Sequence, residues 1–193
     1  TAGNATTQQV TATASGSYTV TYTNGNGCSA TSAATVVTVN ALPVISSGTV
    51  SSPTTCATAT GSIQITGSGT GNVSWTGTAS GSATGVTLPY VIPTLAAGTY
   101  NVTFTNGSGC TSSPIVVPLS DPTPPSTPTI SVTGATTFCD GGSVTLTSSQ
   151  STGNVWSNSA NTASISPTTG GSYTVTYTDG SGCSATSAPV TVT

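Results

Sequence analysis

No lysine, arginine, histidine, glutamate or methionine occurs in this 193-residue chain, and its side-chain carboxylates are Asp121, Asp140 and Asp179 alone. General acid–base catalysis needs a positioned group tuned toward neutral pH, and a Ser or Thr nucleophile needs a base beside it. Phosphate and nucleic-acid recognition rest on Lys and Arg. These absences argue against an enzyme and against nucleic-acid binding, and nothing in the chain calls for a cofactor or a metal. No run reaches the roughly 18 apolar residues of a membrane helix, so no membrane insertion is expected. A basic segment followed by an apolar stretch, the mark of a signal peptide, is also missing.

What is present is Thr, Ser and Val in alternation, with aromatic residues at recurring positions and a formal charge of −3. Thr and Val are stiff at χ1 and suit the pleated strand. The composition therefore predicts a folded β-protein whose outer faces carry hydroxyls instead of charges.

Internal repetition organises the chain. Gly16-Ser17-Tyr18-Thr19-Val20-Thr21-Tyr22-Thr23 recurs unchanged as Gly171 to Thr178, and Cys28 to Ala33 recurs as Cys183 to Ala188, both at an offset of 155. A looser copy, Gly98 to Thr105, is followed by Cys110. The copies stand 82 and 73 residues apart, the size of a small sandwich domain. The front halves also align: Gly61 to Thr66 matches Gly142 to Thr147, and Trp75 matches Trp156. Each copy alternates apolar and hydroxyl residues, then turns through an Asn/Asp-Gly-x-Gly loop, which predicts a β-hairpin. Eight extra residues between Trp75 and Tyr100, relative to Trp156 and Tyr173, predict a longer loop or an added edge hairpin.

The fold expected is all-β, with tandem immunoglobulin-like antiparallel β-sandwich domains arranged end to end. Residues 1–40 read as the back half of a domain whose front half lies outside the chain. Residues 41–119 read as a complete repeat, 120–128 as a semi-rigid Pro-rich linker and 129–193 as a second complete domain. Tyr18, Tyr100 and Tyr173 resemble the tyrosine corner of such sandwiches, and with Trp75 and Trp156 they are assigned to the core in preference to a sugar-binding platform.

The five cysteines lack the close spacing of a zinc site, the shortest interval being 28 residues. Nor does any cation stand by to activate a thiol. The repeat register predicts disulfides Cys56–Cys110 and Cys139–Cys183, each worth about 4 kcal/mol by loop closure, with Cys28 paired outside the chain. Disulfides imply export to an oxidising compartment. A Cys139–Cys183 bridge would bring Asp140 and Asp179 to one pole, where a carboxylate pair or a weak Ca²⁺ site could be imagined. Ala57 and Asn106 at the matching positions favour plain turn residues. Asn4, Asn72, Asn101 and Asn106 begin N-x-S/T sequons, which chance supplies freely in so Thr- and Ser-rich a chain.

The string from Gly171 to Thr178 with Gly182-Cys183-Ser184-Ala185-Thr186-Ser187-Ala188 resembles the Ig-like and SprB-type repeats of very large Bacteroidota surface proteins. So do Phe138 to Leu146 with Trp156-Ser157-Asn158, and Gly61-Ser62-Ile63 with Leu95 to Tyr100 and Gly109-Cys110-Thr111. The resemblance covers essentially the whole chain. It implies type IX secretion, an extracellular place at the cell surface, and a role in adhesion or gliding motility. The expected function is a non-catalytic stalk or fibre segment, with neighbouring repeat domains of the same protein as partners. Two alternatives stand beside it: a module binding surface polysaccharide, and a filament subunit completed by strand addition from an identical chain.

Overall fold

The computed structural model describes residues 8–193, and every regular element among them is a β-strand, paired antiparallel throughout. The first four strands are short: β1 (Gly16–Tyr18), β2 (Thr21–Thr23), β3 (Ser29–Thr31) and β4 (Thr35–Val37). β1 pairs with β4 and β2 with β3, forming one two-stranded ribbon.

The middle sandwich holds β5 (Ile45–Ser51), β6 (Gly61–Gly67), β7 (Thr70–Gly77), β8 (Gly81–Thr87), β9 (Tyr90–Leu95), β10 (Gly98–Asn106) and β11 (Ile115–Leu119). β5, β6 and β9 make one sheet, and β11, β10, β7 and β8 the other. Alternation drives their apposition. Ile63 and Ile65 of the first sheet, with Val73, Tyr100, Val102 and Phe104 of the second, are fully buried in a common core. The extra residues after Trp75 become the edge strand β8, which pairs along β7. The Trp75 ring is only partly buried; it packs against this core and lies so close over Gly81 that a Cβ there would fall 2.5 Å from it.

The last sandwich is built from β12 (Ile130–Thr133), β13 (Thr145–Ser148), β14 (Asn154–Trp156), β15 (Ser164–Ile165), β16 (Gly171–Tyr173), β17 (Val175–Thr178), β18 (Ser184–Thr186) and β19 (Val190–Val192). Val144, Leu146, Trp156, Ile165, Tyr173, Val175 and Val192 form its own core, separate from the first. Buried side-chain polar atoms are all satisfied among the described residues; the Trp156 indole, for example, donates to the Thr162 carbonyl at 2.8 Å.

In each ribbon the backbone ladder between its two arms is interrupted where a serine hydroxyl enters it. Val20 N–H donates to Ser32 Oγ, Phe104 N–H to Ser112 Oγ and Val175 N–H to Ser187 Oγ, while each serine N–H returns a bond to that residue's carbonyl. The outer faces are knitted by hydroxyl pairs such as Thr21–Thr31, Thr105–Thr111 and Thr176–Thr186 at 2.8–2.9 Å. Cross-strand pairs of this kind contribute about 0.2–1 kcal/mol each. They replace the charges that the composition lacks.

The first ribbon repeats the sequence of the last, yet Val20 is 68% exposed whereas its counterpart Val175 is wholly buried. No second sheet covers its apolar face among the described residues.

Because the two cores are separate, damage to one should stay local. Phe104→Ala is expected to destabilise the middle sandwich by about 3–5 kcal/mol. In a Trp75→Phe background, the Trp156 emission should report an unchanged denaturation midpoint for the last sandwich. A matching shift of the Trp156 transition would show the two cores to be one cooperative unit.

Candidate functional site: a cystine joint between two sandwiches

The sandwich topology separates the two kinds of cysteine by the length of a strand. Cys56 precedes β6, whose first residue Gly61 lies opposite Leu95, beside the start of β10. Cys110 follows the far end of β10, a strand of nine residues. At about 3.3 Å per residue, the two cysteines are therefore held roughly 30 Å apart, at opposite ends of their sandwich. Cys139 and Cys183 stand in the same relation: Phe138 N–H donates to the Thr193 carbonyl beside the start of β16, so β16 and β17 lie between their levels. The pairing predicted from the repeat register, Cys56–Cys110 and Cys139–Cys183, is not the one formed. The disulfide joins Cys56 of the middle sandwich to Cys183 of the last, with their Cα atoms 5.1 Å apart and 127 residues between them in sequence. Cys28, Cys110 and Cys139 are free thiols.

Strand direction explains why these two meet. The chain leaves the middle sandwich at Leu119, opposite Gly98, which is the end that carries Cys56. It enters the last sandwich at Ile130, opposite Ser148, at the end that carries the Cys183 loop. The linker thus runs from a Cys56 end to a Cys183 end, and the cystine closes a ring around it. The Pro122 carbonyl approaches both sulfurs at 3.7 Å, and Cys56 N–H donates to the Ser181 carbonyl at 2.9 Å. The segment 120–128 contains no strand, but it is not a free spacer: it is pinned where the loop and the pole cross.

The loop that presents Cys183 is rigid by construction. Asp179 Oδ1 accepts from Ser181 N–H at 2.9 Å and from Cys183 N–H at 3.0 Å. Backbone bonds from Asp179 N–H to the Cys183 carbonyl and from Gly182 N–H to the Asp179 carbonyl close the turn. Gly182 has φ of +73°, a conformation that costs an L-residue about 1–2 kcal/mol. A Cβ at Gly182 would also lie 3.3 Å from Thr55 Cγ2, across the joint.

The same cage recurs in every copy. Asn24 Oδ1 accepts from Asn26 and Cys28 N–H, and Asn106 Oδ1 from Ser108 and Cys110 N–H, all at 3.0 Å. Gly27 and Gly109 have φ of +80° and +81°. The Cys110 loop also meets the segment leading into its sandwich: Asn106 Nδ2 donates to the Ala41 carbonyl at 3.4 Å, and Cys110 Sγ approaches the Asn40 carbonyl at 3.8 Å.

The aromatic positions fall as follows. Tyr100, Trp156 and Tyr173 are buried, whereas Tyr18 and Trp75 are half-buried. Tyr18, Tyr100 and Tyr173 each donate a hydroxyl bond four residues back, to the carbonyls of Ala14, Ala96 and Thr169, at 2.8, 3.0 and 3.0 Å. This is the hydroxyl-to-upstream-backbone bond of a tyrosine corner. Asp140 and Asp179 are not brought together by a Cys139–Cys183 bridge, so the premise for a carboxylate pair or Ca²⁺ site there falls; Asp179 instead spends its oxygen on the loop. Among the described residues no group of three or more metal-ligating side chains forms. Of the sequon asparagines, Asn72 and Asn106 accept backbone bonds, Asn101 is exposed on β10, and Asn4 lies outside the described residues.

Two shallow grooves, of about 350 and 290 Å³, occupy matching places beside the first strand of each sandwich. They are lined by Pro128, Ile130 and Pro189 in one and Pro43, Ile45 and Pro114 in the other. Neither carries an aromatic ring or a charge that would orient a sugar.

Sequence reasoning passed over the ladder serines Ser32, Ser112 and Ser187, although the repeated Cys-Ser-Ala-Thr-Ser string contained two of them. It also passed over Pro122 as the contact of both sulfurs.

No protein family and no curated relative matches the chain. Among solved structures it is similar to the fibronectin(III)-like modules of CbhA from Clostridium thermocellum, at 18% identity, over 77% of this chain and 92% of that one. The TM-score is 0.29, and at that value the likeness carries no argument.

The cage predicts a specific mutational pattern. Asp179→Asn should leave stability within about 0.5 kcal/mol of the parent, since Asn24 and Asn106 make the same two bonds elsewhere. Asp179→Ala should cost about 1–3 kcal/mol, because it leaves two loop N–H groups without their acceptor. Equal losses for both variants, measured by denaturant unfolding, would show that the charge matters and the cage does not.

Proposed function

We propose that this chain is a non-catalytic structural segment, a stalk or fibre of an exported cell-surface adhesin, in which cystines lock one sandwich to the next. The observation that carries the reading is the placement of Cys56–Cys183. Neither half-cystine belongs to either core cluster, so the bond restrains the two cores relative to each other. A tether such as 120–128, if fully extended as polyproline, would reach roughly 28 Å and leave a hinge. The cystine, with the Cys56–Ser181 backbone bond beside it, converts that hinge into a closed ring. Projection of an adhesive tip needs this mechanical property, and an enzyme or a ligand pocket does not.

Three further features support the reading. Each sandwich is entered at one end and left at the other, which favours an end-to-end array. A cystine in a protein of this kind requires an oxidising compartment, in accord with an extracellular place. The absence of Lys and Arg removes every tryptic site. The resemblance to Ig-like and SprB-type surface repeats points the same way and suggests adhesion or gliding as the setting.

The bare face of the first ribbon favours a second reading. Val20 and Tyr22 are 68% and 71% exposed, and a complementary half-domain donated by another chain would cover them.

Small-angle scattering tests the stalk. With the cystine intact, the two sandwiches should give an extended particle with a single well-defined length. A Cys56→Ser/Cys183→Ser double variant should keep the same far-ultraviolet circular dichroism but show a broadened distribution of lengths. Loss of either sandwich's fold in the double variant would mean that the cystine supports a core and not a joint. A particle no longer than one sandwich would contradict the stalk outright.

A further inference from the structure

The free thiols occupy places equivalent to those of the bonded pair. Cys139 precedes β13 as Cys56 precedes β6, at the end of its sandwich opposite the hairpin loop. Cys110 and Cys28 lie in loops whose hydrogen bonds match those of the Cys183 loop bond for bond. The Cys110 loop already meets the segment leading into its sandwich, its sulfur 3.8 Å from the Asn40 carbonyl, much as Cys183 meets Pro122 at 3.7 Å. That junction differs from the bonded one in lacking a pole cysteine among the described residues.

We infer that Cys139 is a pole half-cystine that accepts the loop cysteine of a neighbouring sandwich of this kind, and that Cys110 and Cys28 are loop half-cystines that accept a pole cysteine. The inference rests on the reading of the chain as a cystine-locked array. It adds a rule of assembly: pole joins loop, never pole to pole or loop to loop. The joint already formed motivates the rule: beside the cystine, the pole backbone at Cys56 N–H donates to the loop carbonyl of Ser181, a contact that needs one pole and one loop.

The partner is a caged Asn/Asp-Gly-x-Gly-Cys loop, and a second copy of this chain supplies two of them. Bond formation proceeds by thiol–disulfide exchange with a disulfide oxidant such as oxidised glutathione. The Cys139 thiolate attacks one glutathione sulfur, forming a mixed disulfide and releasing one glutathione thiolate. The loop thiolate of the neighbour then attacks the Cys139 sulfur, forming the S–S bond between chains and releasing the second glutathione thiolate. Two protein thiols lose two protons and two electrons, and one oxidised glutathione becomes two reduced molecules.

The full chain, with Cys56–Cys183 formed, is incubated at high concentration with oxidised glutathione, and the new bridges are mapped by mass spectrometry without reduction. Bridges from Cys139 to Cys28 or Cys110 of another copy should exceed Cys139–Cys139 and loop–loop bridges severalfold, and covalent oligomers should extend beyond dimers. Cys139→Ser should abolish covalent oligomers, dimers included, since only loop thiols remain free. Symmetric bridges as abundant as pole–loop bridges, or Cys139 found only as its glutathione adduct, would overturn the inference. A Cys28→Ser/Cys110→Ser/Cys139→Ser variant keeps the Cys56–Cys183 joint, so its scattering tests the stalk reading independently of this outcome.

Discussion

Two β-sandwiches surfaced with hydroxyls have nothing that fixes how they meet. Without Lys or Arg there are no ion pairs to set an orientation, and the two buried cores are separate clusters among the described residues. The Cys56–Cys183 bond supplies that constraint, and the rest of the joint is arranged to serve it. The Asp179 cage holds the loop rigid, Gly182 admits the left-handed turn, and the linker passes over the sulfurs at Pro122. A loosely presented thiol would bridge with many partners; a caged one has few directions in which it can bond.

The cores, by contrast, rely on ordinary packing. Alternate residues of facing sheets interlock around Tyr100 and Phe104 in one sandwich and Trp156 in the other. The hydroxyl ladders outside and the ladder serines within keep backbone and side chains satisfied in a chain with almost no charged groups. Stability within a sandwich and order between sandwiches are therefore supplied by different residues, and can be altered separately.

Much of this was legible in the sequence. The alternation around Tyr173, Val175 and Tyr177 gave away the ribbon and the Asn/Asp-Gly-x-Gly strings marked the hairpins, while the surplus after Trp75, which read equally as a longer loop or an added edge hairpin, forms the edge strand β8. The cysteine pairing was misread for a physical reason. Repetition identifies equivalent positions but is silent on whether a bond stays within one repeat or passes to the next; Cys56–Cys110 and Cys56–Cys183 satisfy the same period. Strand direction decides between them. β10 carries the chain from the level of Cys56 to that of Cys110, so a bond within the repeat would have to span the whole strand. The sulfur contact at Pro122 had no sequence signal, since a carbonyl is present at every residue.

The central claim is that the cystine lies between sandwiches and not inside one. Its most direct test is peptic digestion at low pH, where disulfides do not exchange, followed by mass spectrometry of the unreduced fragments. The structure predicts a linked pair of peptides carrying Cys56 and Cys183. A fragment joining Cys56 to Cys110, or Cys139 to Cys183, would contradict the joint and the function built on it.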